Sequence, residues 1–283
     1  MNNESIRSIK GTQDILPEES MKWQSLEDQI RKISSYYGYK EIRTPAFENT
    51  KLFSRGVGEE TDIVSKEMYS WTDQGGENLT LKPELTAPVA RAYIQHNLGR
   101  IRPINKLYYI DALFRRERPQ KGRYRQFHQF GVEAFGSEHP EIDAEVIALA
   151  ISVFESLGLE GLKLSLNSIG SAECRENYRT ALKDYLKPYF NDLTETSQKR
   201  FNDNPLRILD TKAPNEIEIL EDAPKISNYL TNEDQTHFNE LIEYLDILEI
   251  DYELMPKLAR GLDYYSRTTF EITSLDLGAQ NAI

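Results

Sequence analysis

The chain has 283 residues, enough to bury one large core or two modest ones, and its 46 acids against 34 bases give a formal charge of −12. That charge excludes a general nucleic-acid coat, because non-specific phosphate binding needs surplus cations, and the 16 Tyr, 11 Phe and 2 Trp exclude disorder over the whole length. The single cysteine, Cys174, excludes an internal disulfide and a multi-cysteine zinc site; no apolar run approaches about 18 residues and the N-terminus has no apolar signal core, so the expectation is a soluble cytoplasmic protein with no membrane partner.

Residues 18–37 predict an amphipathic helix, with Trp23, Leu26, Ile30, Ile33 and Tyr37 on one stripe and Gly38 as its stop. Residues 40–43 read as a short strand ended by Thr44-Pro45. Gly56-Val57-Gly58 reads as a turn, and without a strand-then-helix frame it is weak evidence for a phosphate loop. A strand is expected over 79–81 and a helix over 86–96. Residues 107–116 and 126–135 alternate as strands, and the Pro and Gly between them predict a long-looped antiparallel hairpin. A second amphipathic helix follows over 138–157, then a strand at Leu162, Leu164 and Leu166. From 171 to about 248 helical patterns dominate, with strand character returning at 252–254 and 268–272. The expected organisation is a core over 1–170, a helical insertion over 171–248 and a return to the core over 249–283.

Charge is distributed unevenly. Residues 101–125 hold eight bases against two acids, whereas residues 214–253 hold twelve acids against one lysine. An acidic protein that concentrates arginine in one segment is expected to bind an anion there, the alternative being a solvated basic loop. Residues four apart in a strand face the same way, so Gln129 and Glu133 share a face with Gly131 between them. The missing side chain at Gly131 leaves a hollow or admits a close neighbour. Arg115 shares the face of Asp111 and Leu113 on the preceding strand. An Arg, a Gln and a Glu around a glycine suit a small polar ligand, the carboxylate holding an ammonium and the guanidinium a carboxylate or phosphate; ordinary cross-strand pairs are the alternative. Arg118, Lys121, Arg123 and Arg125 add forked and point cations suited to a triphosphate or a nucleic-acid end.

Glu84 and Thr86 straddle one residue after a strand, so a carboxylate and a hydroxyl can enter one pocket, unless Thr86 only caps the next helix. In Leu258-Ala259-Arg260-Gly261-Leu262-Asp263-Tyr264-Tyr265 the glycine lets a ligand approach Arg260 closely; a surface ion pair for Arg260 and core packing for the tyrosines are the bland readings. His96, His128, His139 and His237 show no metal-ligand spacing, and His128 faces away from Gln129 and Glu133. Without a Gly-x-Ser-x-Gly elbow or a reactive cysteine, the expected chemistry relies on positioning and charge stabilisation, such as a bound carboxylate attacking a nucleotide phosphate.

Four stretches resemble one family. Glu41-Ile42-Arg43-Thr44-Pro45 with Leu52-Phe53 resembles its motif 1, and Phe114-Arg115-Arg116-Glu117-Arg118-Pro119-Gln120-Lys121-Gly122-Arg123-Tyr124-Arg125-Gln126-Phe127-His128-Gln129 its motif 2. Arg260-Gly261-Leu262-Asp263-Tyr264-Tyr265 resembles the histidine-specific signature, and Asn204-Pro205-Leu206-Arg207-Ile208-Leu209-Asp210 part of the helical insertion. The family is histidyl-tRNA synthetase, a class II aminoacyl-tRNA synthetase. The resemblance implies an α+β fold, an antiparallel sheet flanked by helices, in a homodimer joined through motif 1. It implies that histidine and ATP form histidyl-adenylate and pyrophosphate, with transfer to tRNA(His), and that Mg2+ arrives with ATP rather than in a protein cage.

The same resemblance assigns Glu84 and Thr86 to the histidine amino group, and Gln129, Glu133, Tyr264 and Tyr265 to the rest of the histidine pocket. Arg115 would hold the ATP α-phosphate and the histidine carboxylate, Arg123 the outer phosphates, and Arg260 would act as a catalytic cation. Arg118, Gln120 and Lys121 would approach the tRNA acceptor end. Lys82 stands where the family has Arg, which keeps the charge and loses the fork. The family pattern continues with a glycine-rich strand, a motif 3 arginine and an anticodon-binding domain, and none follows Ile283. A fragment of impaired activity is therefore expected. A histidine-sensing regulatory subunit of ATP phosphoribosyltransferase is the competing reading, which retention of Arg115, Arg123 and Arg260 opposes; a generic RNA-binding module fits the −12 charge poorly.

Overall fold

The computed structural model describes residues 6–57, 63–118, 122–258 and 265–274. These fall into two compact units: the first takes the residues up to Glu138 with Glu145–Glu160, the second takes His139–Ala144 and those from Gly161 on.

The first unit begins with helix α1 (Pro17–Tyr36), which has proline in its first turn, where a missing N–H costs nothing, and Glu18 and Glu19 at its positive end. Of its expected stripe, Ile30 is buried and Ile33 and Tyr37 pack beside it, whereas Leu26 is exposed. Strands β1 (Lys40–Glu41) and β2 (Phe47–Asn49) and helix α2 (Thr50–Val57) follow. Gly56 and Val57 thus close α2 rather than forming a turn, and Gly58 lies outside the described residues. A single π-helical turn, Ile63–Glu67, precedes β3 (Tyr69–Thr72) and β4 (Asn78–Leu81). Next come α3 (Thr86–Gln95), the short α4 (Leu98–Ile101) and the long strands β5 (Asn105–Phe114) and β6 (Gln126–Phe135). Helix α5 (Pro140–Ser156) belongs to this unit from Glu145 on, while its first turn, with Glu141 and Asp143, is counted in the second unit.

Two three-stranded sheets result, β1-β5-β6 and β2-β4-β3. The second is antiparallel throughout and was not legible in the chain, because β2 is three residues long without an alternating pattern. In the first sheet β5 and β6 form the expected antiparallel hairpin over ten paired positions, and β1 joins β5 in parallel.

Even-numbered positions of the hairpin and odd-numbered ones are covered by different elements. Tyr108, Ile110, Phe130 and Val132 pack with Ile30 of α1 and with Leu149 and Val153 of α5. Leu107, Tyr109 and Leu113 pack with Leu85 and with Val89 of α3. Both faces are therefore partly covered, and the odd face carries α3 together with the polar residues singled out above.

The second unit contains β7 (Lys163–Ser168), α6 (Ala172–Leu186), α7 (Glu195–Asp203), α8 (Pro214–Ile219), α9 (Asn232–Ile247), β8 (Tyr252–Leu254) and β9 (Thr268–Thr273). Strand β7 is central, parallel to β8 and antiparallel to β9. Cys174, Tyr178, Leu182 and Leu186 recur every four residues along α6 and form its buried stripe against Leu193, Ile208, Leu220 and Ile226. Cys174 is thus a core residue, and burial pushes its thiol up to about 11, which fits the structural role expected of it. Thr231 caps α9 by accepting from the Asp234 amide, with Asp234 answering back, a reciprocal capping box.

Candidate active site

Glu84 leaves β4 just before α3 and turns its carboxylate back on the helix start. Its two oxygens accept from the amides of Thr86 at 2.9 Å and Ala87 at 3.0 Å, two donors that the helix leaves without intrahelical partners. The capping expected of Thr86 is therefore done by Glu84. The Thr86 hydroxyl is free for another task and donates to Glu133 Oε1 at 2.7 Å. Glu84 is buried; burial pushes its pKa up, while the Ala87 and Thr86 amides and the Arg115 charge pull it down.

Glu133 stands opposite Leu107 in the hairpin register, with Gly131 opposite Tyr109 and Gln129 opposite Asp111. All six share the odd face. Burial pushes the Glu133 carboxyl up to about 7; the Thr86 hydroxyl opposes this, the nearby Glu84 charge adds to it, and the Tyr109 hydroxyl, donating at 3.4 Å, opposes it again. The hollow at Gly131 is occupied: a Cβ there would lie 2.2 Å from the Tyr109 hydroxyl oxygen. Sequence reasoning missed Tyr109. The available signal was a tyrosine facing a glycine across the hairpin, a pairing in which the ring takes the vacant space.

Arg115 follows β5 directly. Its Nε donates to the Pro83 carbonyl at 2.9 Å and its guanidinium lies 5.1 Å from the centre of the Phe127 ring. Burial lowers its pKa, while Glu117, Glu67 and Glu84 raise it. The fork is thus held by its stem-side nitrogen and by an aromatic face, an arrangement that orients the two terminal nitrogens for an oxyanion. Lys82 was also missed as a structural partner. It is 1% exposed and donates to Asp111 and, at 3.3 Å, to the Thr44 carbonyl.

Of the remaining expected residues, Arg123 pairs with Glu117 at 3.1 Å and is half-exposed, and Arg118 is exposed. Gln120, Lys121, Arg260 and Tyr264 lie outside the described residues. Tyr265 belongs to the second unit, where it lines a cavity. His128, on the opposite face from Gln129, meets the Trp23 ring at 4.7 Å, a packing contact. Among the described residues no group of three or more His, Cys, Asp or Glu could hold a metal ion, and no helix is long and apolar enough to cross a membrane.

The α+β chain that carries this hairpin aligns with solved structures of one enzyme class. Apo histidyl-tRNA synthetase from S. aureus aligns with a TM-score of 0.77 and 41% identity, covering 95% of this chain and 62% of that one. A Bacillus halodurans protein described as an ATP phosphoribosyltransferase regulatory subunit/histidyl-tRNA synthetase aligns at 0.66 with 24% identity, covering 96% of this chain and 73% of that one, and shows the fold alone. The fold is that of the class II aminoacyl-tRNA synthetases. The histidine–tRNA ligases of Chloroherpeton thalassium and Halothermothrix orenii are each 52% identical over 279 residues, which is 98% of this chain and 65% and 66% of theirs. The histidyl-tRNA synthetase sequence profile matches residues 11–282, and the chain belongs to that family. It spans just under two thirds of the length of these curated relatives.

Proposed function

We propose that this chain carries the amino-acid-activating core of a histidine–tRNA ligase. A histidine carboxylate oxygen attacks the α-phosphorus of ATP, the bond to the bridging oxygen breaks, and pyrophosphate leaves with its magnesium. A tRNA(His) terminal ribose hydroxyl then attacks the acyl carbon and AMP departs. The observation that carries this reading is the hydrogen-bonded series from Glu84 through Thr86 to Glu133, with Arg115 held close enough to Glu84 to lower its pKa. In it the acids and the Thr86 hydroxyl receive the amino end of histidine, and Arg115 receives the carboxylate and the α-phosphate. Gln129 completes the floor, and Arg123 meets the outer phosphates after exchanging its Glu117 partner for them.

The family resemblance supplies the other roles: Arg260 as a catalytic cation, Tyr264 and Tyr265 at the imidazole, and Arg118, Gln120 and Lys121 at the acceptor end. It likewise supplies the homodimer, the cytoplasmic location, and the division into a core of residues 1–170 and 249–283 with a helical insertion over 171–248. The regulatory-subunit reading shares the fold. An oriented arginine fork favours a nucleotide-using enzyme over a sensor of histidine alone. Histidine-dependent ATP–pyrophosphate exchange tests the proposal, together with calorimetric titration by histidine in the presence and absence of ATP. Histidine binding that ATP leaves unchanged, with no exchange, favours the sensor; binding of neither ligand overturns both.

A further inference from the structure

The N-terminal residues of the first unit hold their place without an apolar anchor. Residues 6–10 are exposed, Ile6 and Ile9 included, so side-chain burial does not explain why this segment lies where it does. Its backbone does. The amide and the hydroxyl of Thr12 both donate to the Ile9 carbonyl, at 2.9 and 2.7 Å, and close a tight turn. Gly11 stands third in that turn at φ 91°, an angle that glycine adopts freely and a residue with a Cβ rarely does. The turn aims the Gly11 carbonyl at the foot of the arginine loop, where it accepts from the Arg125 amide at 2.7 Å and from the Gln126 amide at 3.4 Å.

Arg125 is where that loop returns to the sheet. Phe114 with Gln126 is the last paired position of the hairpin, and the Arg115 amide adds one more bond, to the Arg125 carbonyl at 3.0 Å. Both backbone groups of Arg125 are therefore taken, its N–H by the N-terminal turn and its C=O by Arg115. On the other leg, the Glu117 carbonyl accepts from Arg125 Nε at 3.4 Å, and the Glu117 carboxylate pairs with Arg123 at 3.1 Å. Arg123 precedes the clamped residue by one position, Tyr124, so its backbone starts from a point that Gly11 fixes. The Arg115 side chain does not depend on that point, since the Pro83 carbonyl and the Phe127 ring hold its guanidinium.

We propose that Gly11 is a positioning residue for the nucleotide: its carbonyl ties down the return leg of the loop and so presents Arg123 to the outer phosphates. The inference rests on the role proposed above for Arg123. A loose leg must lose conformational freedom when it closes on phosphates, and one already tied has less to lose. The tie therefore favours ATP, which has outer phosphates, over AMP, which has none. Histidine alone gains little from it, because its amino end is assigned above to Glu84, Thr86 and Glu133, which are linked to one another without the loop.

The test is calorimetric titration of the chain with ATP, AMP and histidine, joined to hydrogen exchange at individual amides. Gly11→Ala forces a Cβ into the turn. It is expected to speed exchange at the Arg125 amide and to weaken ATP about fivefold, the size of one net backbone hydrogen bond. AMP and histidine should weaken by less than about twofold, and the amides of 128–135 should keep their protection. Gly11→Asn, which tolerates positive φ better, should recover most of the ATP affinity. In an Arg123→Gln chain the Gly11→Ala loss should vanish, because the residue that Gly11 positions is gone. Should Gly11→Ala leave the Arg125 amide protected, a chain beginning at Thr12 removes the carbonyl outright, and of residues 6–10 it removes only exposed side chains. Equal losses for ATP, AMP and histidine, an ATP loss that persists undiminished in Arg123→Gln, or ATP affinity unchanged once the Arg125 amide exchanges freely would overturn the proposal. Failure of the unsubstituted chain to bind ATP is a separate result, which would overturn the activity proposed for the first unit and the role of Gly11 with it.

Discussion

The Tyr109 hydroxyl sits where a side chain at residue 131 would stand, and reaches past Gly131 to Glu133 at 3.4 Å. The glycine is therefore required by a neighbour's ring rather than by its own backbone angles. Gly131→Ala should displace Tyr109, because hydroxyl and ring carbons lie 2.2 to 2.6 Å from the new methyl. A loss of about 1–3 kcal/mol is expected, read by urea denaturation. Tyr109→Phe alongside it should restore little, since two ring carbons still clash.

Glu133 sets a pH dependence whose sign is definite. Its folded pKa of about 7 is raised above the ordinary glutamate value, so the stability it contributes is full below about 4.3 and is lost as pH rises through 7. An amine held by the ionised carboxylate reverses this cost. Histidine affinity is therefore expected to strengthen by up to about tenfold per pH unit between 5.5 and 7, then to level off. In Glu133→Gln the calorimetric Kd should lose that slope while the melting midpoint at pH 8 rises or holds. A slope that persists in the variant would assign the titration to another group.

Glu84 caps the start of α3, and that role can be separated from the histidine-binding role proposed for it. Glu84→Ala removes both acceptors at the start of α3 and should cost about 1–2 kcal/mol in thermal or urea unfolding. Glu84→Gln keeps one acceptor oxygen and should recover part of that stability. On the proposed role, histidine binding draws on the charge and should remain weakened at least tenfold in both.

Lys82 and Asp111 form a pair in which the lysine is 1% exposed and the aspartate side chain keeps 29% of its surface. Lys82→Met leaves a partly buried carboxylate without its cation and should destabilise by about 3 kcal/mol, the lower part of the range for breaking buried pairs because water still reaches Asp111. Lys82→Met with Asp111→Asn should return much of the loss. Equal losses in the single and double variants, measured by urea denaturation, would show that the pair contributes packing only.

Much of the fold could be read along the chain. The strand at 126–135, the helix at the start and the helices within residues 171–248 follow from period-2 and period-3.6 patterns and from caps such as Thr231, which act within a few residues. Gln129, Glu133 and Arg115 were legible as candidates because strand alternation fixes a face before any partner is known. Strand β2 was not legible, since three residues carry no period, and its pairing with β4 is decided at a distance.

Chemistry-bearing residue types, their spacing and the segregation of charge were fixed by the chain order, and the resemblance of residues 114–129 and 260–265 to one family followed from them. Folding alone could decide that Glu84 rather than Thr86 caps α3, that Tyr109 fills the space over Gly131, and that Lys82 finds Asp111 29 positions away. Those contacts depend on hairpin register and on which element covers which face. Both are settled by burying apolar surface across the whole unit, and no local pattern encodes them.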